Sequence, residues 1–312
     1  MRLSVSMIVR GEESCLSACL ASVAGADELV VVDTSLPGDP PDRTREIALD
    51  AGARVFSFPW RDDFAAARNY ALAQCTGDWV LVIDADEVLE PGGIDKLRGV
   101  IADVSARPVF FASDVRRTIS FRTVAKSSGQ EHRSVRAFRR CPEVYWQGAI
   151  HNHLSALAEY ESDVVVTYGY SEAHKNDPDR ALRILEKEMA RDPTLVREAY
   201  YLAREYWYRR KYETAVRWYD DYLSRAKWAP EIADACLMKA RCLWMLRRGQ
   251  EARQSCLQAI GINPNFGEAL RFMGEMSWEK NRKRWNEIAE TASNEGVLFV
   301  RAPQVLDAGI SG

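Results

Sequence analysis

The chain has 312 residues, which favours two domains. Its hydrophobic fraction of 47% and charged fraction of 28% are ordinary for a globular protein, and a formal charge of −3 does not favour a general binder of nucleic acid or anionic membranes. No apolar run approaches the ~20 residues of a membrane span, and the first residues lack a signal-peptide pattern. Seven cysteines without a Cys-x-x-Cys pair argue against a disulfide framework or a zinc site. We therefore expect a soluble, cytoplasmic protein.

Strands and helices alternate from residue 1 to about residue 105. Four β-rich runs are predicted as strands, over 3–9, 28–32, 54–58 and 79–83. Helices are predicted after a cap at Ser14, over 42–51 and over 64–74. Repeated strand–helix units of this size predict an α/β fold with a mainly parallel sheet and helices on both faces.

Three carboxylates follow the fourth predicted strand. The apolar run 79–83 is typical of a strand buried on both faces, and Asp84, Asp86 and Glu87 come directly after it. Because buried carboxylates need partners, we expect these at the carboxyl edge of the sheet, where ligands bind in such folds. Alternation along an extended chain puts Asp84 and Asp86 on the same side. Two such oxygen donors suit Mg²⁺ or Mn²⁺ and, through the metal, a diphosphate. The alternative is an acidic turn without a ligand.

Two further residues are candidates for the same crevice. Asp33 ends the second strand as Asp84 ends the fourth, although a turn or cap aspartate is the alternative. Arg68 lies in the predicted helix 64–74, and its guanidinium suits a phosphate unless it is only a solvated surface residue. Asp62 and Asp63 are weaker candidates, since either residue can cap that helix.

Read together, four segments resemble the family 2 glycosyltransferases of the GT-A fold. They are VSMIVRGEE, ADELVVVDTS with DRTREIA, ARVFSFPWRDDFAAARNYAL and GDWVLVIDADEVL. The resemblance implies a nucleotide-sugar donor, expected to be a UDP-sugar, whose nucleotide is bound by the first loop and Asp33. It also implies that Asp84 lies near the ribose and that Asp86 binds Mn²⁺ or Mg²⁺. The pair Arg68-Asn69 resembles residues that reach the nucleotide or its phosphates.

The segment VRAFRRCPEVYWQGAIHNHL resembles the second half of the same transferases. There, the histidine at the position of His151 returns to the metal or the diphosphate. Many similar proteins carry an acidic residue next, where this chain has Asn152, so a carboxylate base at this position is in doubt. His153 lies on the same side as His151 if the chain is extended. The resemblance implies inversion at the sugar, which needs a general base, and we name Asp114 and His153 as candidates.

Predicted strands give way to helices after Pro178. Small and aromatic residues then recur as in tetratricopeptide repeats, and Gly274 follows Ala240 by 34 residues. The first repeat is read from Leu202, Ala203, Tyr206, Ala215 and Tyr219, the second from Ala240, Leu243, Ala252, Cys256, Ala259 and Pro264. A third begins at Met273 but has Asn286 where a small residue is expected. We predict a GT-A domain over 1–175, an all-α tetratricopeptide-like domain over 176–295 and a tail over 296–312.

Ten of the 31 aromatic residues lie between Tyr200 and Trp228. Stacked repeats need only a few of them, so we expect several on an exposed face that binds an acceptor. The alternative is a thick helix–helix core. A transferase domain followed by such repeats resembles the peptide- and protein-modifying branch of the family, including the S-glycosyltransferases of bacteriocins. This implies a peptide or protein acceptor, and a homodimer is left open.

Three other functions were weighed against this one. A sugar nucleotidyltransferase normally has a glycine-rich, basic loop near its N-terminus, which VRGEESC is not. An inactive transferase-like module that binds partners through its repeats is disfavoured by the intact pair of aspartates. Transfer of a sugar to modified DNA bases is disfavoured by the lack of net positive charge.

Overall fold

A computed structural model describes residues 1–107, 117–126, 129, 131–156, 158–169 and 177–299. The chain forms two compact units, Met1–Arg180 and Ala181–Gly312. The predicted fold class is confirmed, because the first unit is an α/β domain on a curled mixed sheet and the second is helical. In the described ranges, every helix is too short or too polar to cross a membrane.

Ten strands are found among the described residues of the first unit. In chain order they are β1 (Leu3–Val9), β2 (Glu28–Asp33), β3 (Arg54–Ser57), β4 (Trp79–Val82), β5 (Glu87–Leu89), β6 (Arg117–Ala125), β7 (Glu131–Arg139), β8 (Trp146–Gln147), β9 (His153–Leu154) and β10 (Ala158–Tyr168). Eight of them form one sheet in the order β3-β2-β1-β4-β7-β6-β10-β5, and β8 pairs with β9 in a separate ribbon. The sheet is parallel from β3 to β4, as predicted, and mixed beyond β4.

The position of β5 requires the sheet to curl. In a flat sheet, β5 would lie four strand spacings from β4, or about 19 Å. The five peptide steps from Val82 to Glu87 span at most roughly 17 Å when fully extended. The chain is in fact folded back there, since the Glu87 N–H donates to the Asp84 carbonyl oxygen at 3.0 Å. The acidic residues therefore lie in a turn that joins the central strand to the far edge strand, across the carboxyl ends of the strands.

Side chains of the central strands alternate between two cores. Trp79 and Leu81 pack with helices α1 (Leu16–Ser22) and α4 (Gly93–Ala106), whereas Val80 and Val82 pack with Phe138 and α3 (Phe64–Gln74). A strand buried on both faces requires this arrangement. Helices thus cover both faces of the sheet, as the sequence predicts.

The predicted helix ends agree with the structure for some helices and differ for others. The helix α3 has the predicted bounds, and its cap is Asp63, whose Oδ1 accepts the N–H of Ala66 at 2.9 Å. The helix α2 (Thr44–Asp50) is shorter than the predicted 42–51. The predicted cap at Ser14 is wrong, because α1 begins after Cys15 and no side chain caps it.

The carboxylate of Glu28 joins three segments at the amino-terminal edge of the sheet, which is opposite the edge that carries the acidic turn. It accepts hydrogen bonds from the Ser4 hydroxyl at 2.5 Å, the Thr76 N–H at 2.7 Å and the Arg54 guanidinium at 2.6 Å. Burial alone would raise the pKa of Glu28, but these hydrogen bonds outweigh it and lower the pKa from 4.5 to about 2. The ionised form is therefore the one that stabilises the fold.

We expect Glu28→Gln to lower the free energy of unfolding by about 1–3 kcal/mol at pH 7, the usual range for hydrogen bonds to a charged group. The folded-state pKa is depressed, so this stabilisation is present above pH 4.5 and is lost as the pH falls toward 2. Urea denaturation of variant and wild type at pH 7 and pH 2.5 tests this. A stability difference of equal size at both pH values would contradict the assignment.

The second unit consists of stacked helices. They are α5 (Arg180–Arg191), α6 (Val196–Tyr208), α7 (Tyr212–Arg225), α8 (Ala229–Met245), α9 (Gly249–Ile262), α10 (Gly267–Glu275) and α11 (Glu279–Glu290). The small residues of the predicted repeats are fully buried, at Ala203, Ala215, Ala240, Ala252 and Ala259. In the third pair, a Cβ at Gly274 would lie 2.8 Å from Oδ1 of Asn286. Glycine on α10 therefore makes room for the asparagine that replaces the expected small residue.

Two buried carboxylates lie at equivalent positions of successive helix pairs. Asp234 is 0% exposed and Glu268, 34 residues later, is 3% exposed. Asp234 accepts the hydroxyl of Tyr200 at 2.5 Å, and Oε1 of Glu268 lies 2.7 Å from Nη1 of Arg241. Each carboxylate is thus paired with a side chain of the preceding helix pair.

The aromatic residues between Tyr200 and Trp228 divide between core and surface. Tyr200, Tyr219 and Tyr222 are buried, whereas Tyr208 and Trp228 are 60% and 53% exposed. Some of these aromatic residues therefore belong to the helix–helix core, and others are exposed at the surface.

Candidate active site

The acidic residues form a tight turn after β4. Because the chain turns at Ala85 and Asp86, the predicted strand-like alternation of the two aspartates is wrong. Ala85 is nevertheless 4% exposed, while Asp84 and Asp86 are only partly buried. Both aspartates are therefore accessible from solvent at the carboxyl edge of the sheet, where the sequence places them.

Two arginines contact the carboxylate of Asp84. Nη2 of Arg68 lies 2.8 Å from Oδ1, and Nη1 of Arg136 lies 4.0 Å from Oδ2. The guanidinium of Arg68 also stacks on the ring of Trp146, 5.0 Å from the ring centroid. Arg68 is therefore not a solvated surface residue, and its position beside the acidic turn is the one the sequence favours.

Asn69 ties the helix α3 to the segment that carries the histidines. Its Nδ2 donates to the Trp146 carbonyl oxygen at 2.9 Å, and its Oδ1 accepts the Trp146 N–H at 2.8 Å. At the start of α3, the Phe64 N–H donates to the carbonyl oxygen of Ala149, three residues after Trp146, at 2.8 Å. The 146–149 segment is thus fixed against α3 at both ends, beside Arg68.

The two histidines do not lie in one extended segment. His151 has a left-handed backbone, with φ of 49°, between β8 and β9, whereas His153 lies in β9 opposite Gln147. The alternation that would place them on one side therefore does not apply. Both side chains are exposed. The other candidate base, Asp114, lies outside the described residues.

Asp33 ends β2 at the same edge of the sheet as the acidic turn. Because β1 separates β2 from β4, the ends of these strands are two strand spacings apart, about 10 Å. Oδ1 of Asp33 accepts the Ser35 N–H at 2.9 Å, and Oδ2 lies 3.9 Å from Nη1 of Arg45. Asp33 therefore shapes the loop after β2 as well as lining the edge.

Sequence reasoning gave Glu87 no role of its own and missed Arg136. Arg136 and Glu87 form an ion pair, with Nη2 of Arg136 2.5 Å from Oε1 of Glu87. Burial raises the pKa of the Glu87 carboxyl, against the lowering effect of Arg136, and repulsion from Asp84 raises it further. The sequence could have indicated Glu87, because it is the third acidic residue after the fourth strand. Arg136 reaches the turn only through the pairing of β7 with β4, which no local pattern shows.

The side chains of the turn fit a divalent ion that shares its coordination with a ligand. Among the described residues, no three histidine, cysteine or acidic side chains come together as a metal site of their own. The carboxylate of Asp84 is engaged by Arg68, and Asp86 is partly exposed in the same turn. Mg²⁺ is commonly held by one or two carboxylates together with substrate phosphates. A bound diphosphate would thus complete the coordination.

Comparison with known proteins agrees with this geometry. Residues 4–139, which contain β1 to β7, match the model of glycosyl transferase family 2. This part of the chain is similar to the family 2 glycosyltransferases.

Several relatives have similarity over different parts of the chain. A TPR repeat-containing protein of Synechococcus elongatus is 36% identical over 211 residues, which are 62% of this chain and 49% of that protein. The lipopolysaccharide core biosynthesis glycosyltransferase LpsC of Rhizobium meliloti is 36% identical over 90 residues, 28% of this chain and 33% of LpsC. The SPbeta prophage-derived glycosyltransferase SunS of Bacillus subtilis is 25% identical over 235 residues, 72% of this chain and 53% of SunS. The chain spans about half the length of the first of these relatives.

Proposed function

We propose that the protein transfers a sugar from a nucleotide-sugar, most simply a UDP-sugar, to an acceptor. The observation that carries this proposal is the turn with Asp84 and Asp86, which lies beside Arg68 at the ligand-binding edge of a domain similar to the family 2 glycosyltransferases. A carboxylate pair next to a guanidinium suits a ligand that carries both hydroxyls and phosphates.

We assign the donor site to residues at the carboxyl edge of the sheet. Asp33 and Asp84 hold the nucleoside, and Arg68, once it turns from Asp84, holds a phosphate oxygen. Asp86, with His151, holds Mn²⁺ or Mg²⁺. When bound, this ion neutralises the charge that develops on the diphosphate leaving group. The stacking of Arg68 on Trp146 keeps its guanidinium at this edge of the sheet, so only a small rotation is needed to exchange Asp84 for a phosphate.

We assign the acceptor proton to a base near the histidine segment. Transfer with inversion requires such a group, and histidine is the side chain most often used for it. His153 is exposed in β9, which pairs with β8, and Asn69 fixes Trp146 of β8 to α3. Asp114 is the second candidate.

We propose a peptide or protein acceptor, bound by the helical repeats. Stacked helix pairs offer an extended surface suited to a polypeptide, and this unit exposes Tyr208 and Trp228. The similarity to a TPR repeat-containing protein supports an interaction role for the repeats. The similarity to LpsC makes a lipopolysaccharide core saccharide the second acceptor to test.

A donor screen tests the proposed reaction directly. With Mn²⁺ present, we expect one class of nucleotide-sugar, led by UDP-sugars, to raise the melting temperature and to be hydrolysed slowly by water in place of the acceptor. Chelation of the metal should remove both effects. The proposal is wrong if none of the common nucleotide-sugars stabilises the protein or is turned over with Mn²⁺ or Mg²⁺.

A further inference from the structure

Glu87 makes two directed contacts from a buried position. The residue is 3% exposed, and its two carboxylate oxygens have different partners. Oε2 accepts the backbone N–H of Asp84 at 2.9 Å, while Oε1 accepts Nη2 of Arg136 at 2.5 Å. A buried carboxylate that is paired and hydrogen-bonded in this way holds its partners in one geometry.

These contacts close the acidic turn from both ends. The Glu87 side chain accepts the Asp84 N–H, and the Glu87 N–H donates to the Asp84 carbonyl oxygen at 3.0 Å. Between them, the Asp86 carbonyl oxygen accepts the Gly169 N–H at 3.1 Å. The backbone on both sides of the Asp86 side chain is therefore fixed.

Arg136 links the turn to the neighbouring strand β7. It contacts Glu87 directly and lies 4.0 Å from the Asp84 carboxylate, so it is placed between the two acids. Its side chain is 15% exposed, and its buried Nε has no hydrogen-bond partner in the described part of the chain. A rotation of this guanidinium would need Glu87 to release it.

We propose that Glu87, held by Arg136, is a positioning residue that fixes the Asp84–Asp86 turn in the orientation needed to bind a divalent cation together with a nucleoside diphosphate. This inference rests on the proposed function. Glu87 does not itself reach the ligand, since both of its oxygens are used within the protein. Groups that orient metal ligands in this way typically change metal affinity by about 10–100-fold when they are removed.

The test compares two glutamate-to-glutamine variants of the full chain. Glu87→Gln keeps the shape of the side chain but removes the charge that binds Arg136. Glu28→Gln is the matched control, because it also removes a hydrogen-bonded glutamate charge of the same sheet, at the opposite edge. UDP binding is measured by calorimetry at increasing Mn²⁺, which requires no turnover. Melting curves give the folded fraction of each variant.

We expect Glu87→Gln to raise the Mn²⁺ concentration that gives half-maximal UDP binding by about 10–100-fold. Glu28→Gln should lose stability and keep the wild-type Mn²⁺ midpoint. If Glu87→Gln does not fold, Arg136→Lys decides, because it keeps the charge but loses the two guanidinium nitrogens that face Glu87 and Asp84. The Mn²⁺ midpoint of this variant should rise several-fold.

Two results would overturn the inference. One contradicts only the positioning role of Glu87, and the other also contradicts the proposed UDP-sugar site. If wild type binds UDP with Mn²⁺ and a folded Glu87→Gln variant has a midpoint within twofold of it, the positioning role is wrong while the proposed function stands. If wild type binds no UDP at any Mn²⁺ concentration, the inference fails together with the proposed UDP-sugar site.

Discussion

Replacing Asp86 with asparagine is expected to lower metal-dependent turnover of the nucleotide-sugar by orders of magnitude with little effect on folding. Asparagine keeps the shape of the side chain but removes the charge that we propose binds a divalent ion. Because the side chain of Asp86 is partly exposed and belongs to no hydrophobic core cluster, the free energy of unfolding should change by about 1 kcal/mol or less. Initial rates of donor hydrolysis at several Mn²⁺ concentrations measure the effect.

A matched control for this variant is Asp50→Asn, at the exposed end of α2. It removes the same charge from the same unit and should leave turnover unchanged. Near-normal turnover of a folded Asp86→Asn variant would rule out Asp86 as a metal ligand.

Replacing Tyr208 with alanine is expected to abolish transfer to the true acceptor and to leave donor hydrolysis within about threefold, a barrier change below 1 kcal/mol. Tyr208 is 60% exposed, and its hydroxyl accepts a hydrogen bond from Arg204 at 3.0 Å, which orients the ring on the surface of α6. It is a better choice than Trp207, whose ring packs on Tyr212 at 5.2 Å between centroids. Separate assays of hydrolysis and transfer on the same preparation measure the two activities.

The control for this experiment is Trp278→Ala, another exposed aromatic residue of the helical unit, at 88% exposure. It lies outside the 200–228 segment and should leave both activities unchanged. If Tyr208→Ala and Trp228→Ala both fold and transfer sugar normally, the acceptor does not bind at this surface.

Local patterns in the sequence predicted the parts of the site that are local in the chain. The apolar run before Asp84 identified β4, and the apolar-to-acidic boundary identified the edge of the sheet where the turn lies. The bounds of α3, with Asp63 at its cap, followed from the same kind of pattern. Each of these features depends on periodicity over a few residues, which a single sequence displays.

Contacts between distant segments could not be predicted in this way. Arg136 reaches Asp84 only because β7 pairs antiparallel with β4, and no periodic pattern specifies which strands become neighbours. Asn69 and Trp146 are likewise 77 positions apart in the chain. The handedness of the backbone at His151 is set by the turn between β8 and β9 rather than by alternation. These features depend on tertiary packing, which a local pattern does not encode.

The buried carboxylates of the helical unit make its helix pairs non-interchangeable. Asp234 needs the hydroxyl of Tyr200 and Glu268 needs the guanidinium of Arg241, each from the pair before it. Excising the middle pair would bring Glu268 against α6, where Trp207 lies 34 positions before Arg241 and the nearby cation is Arg204, 3.9 Å from Asp234. Glu268 would exchange its 2.7 Å contact with Arg241 for partners placed to suit the shorter Asp234, and a buried carboxylate with poorly matched partners is destabilising. Solenoids of this kind lengthen readily by duplication when their helix pairs are alike. Here the buried contacts between successive helix pairs require one particular order of the pairs.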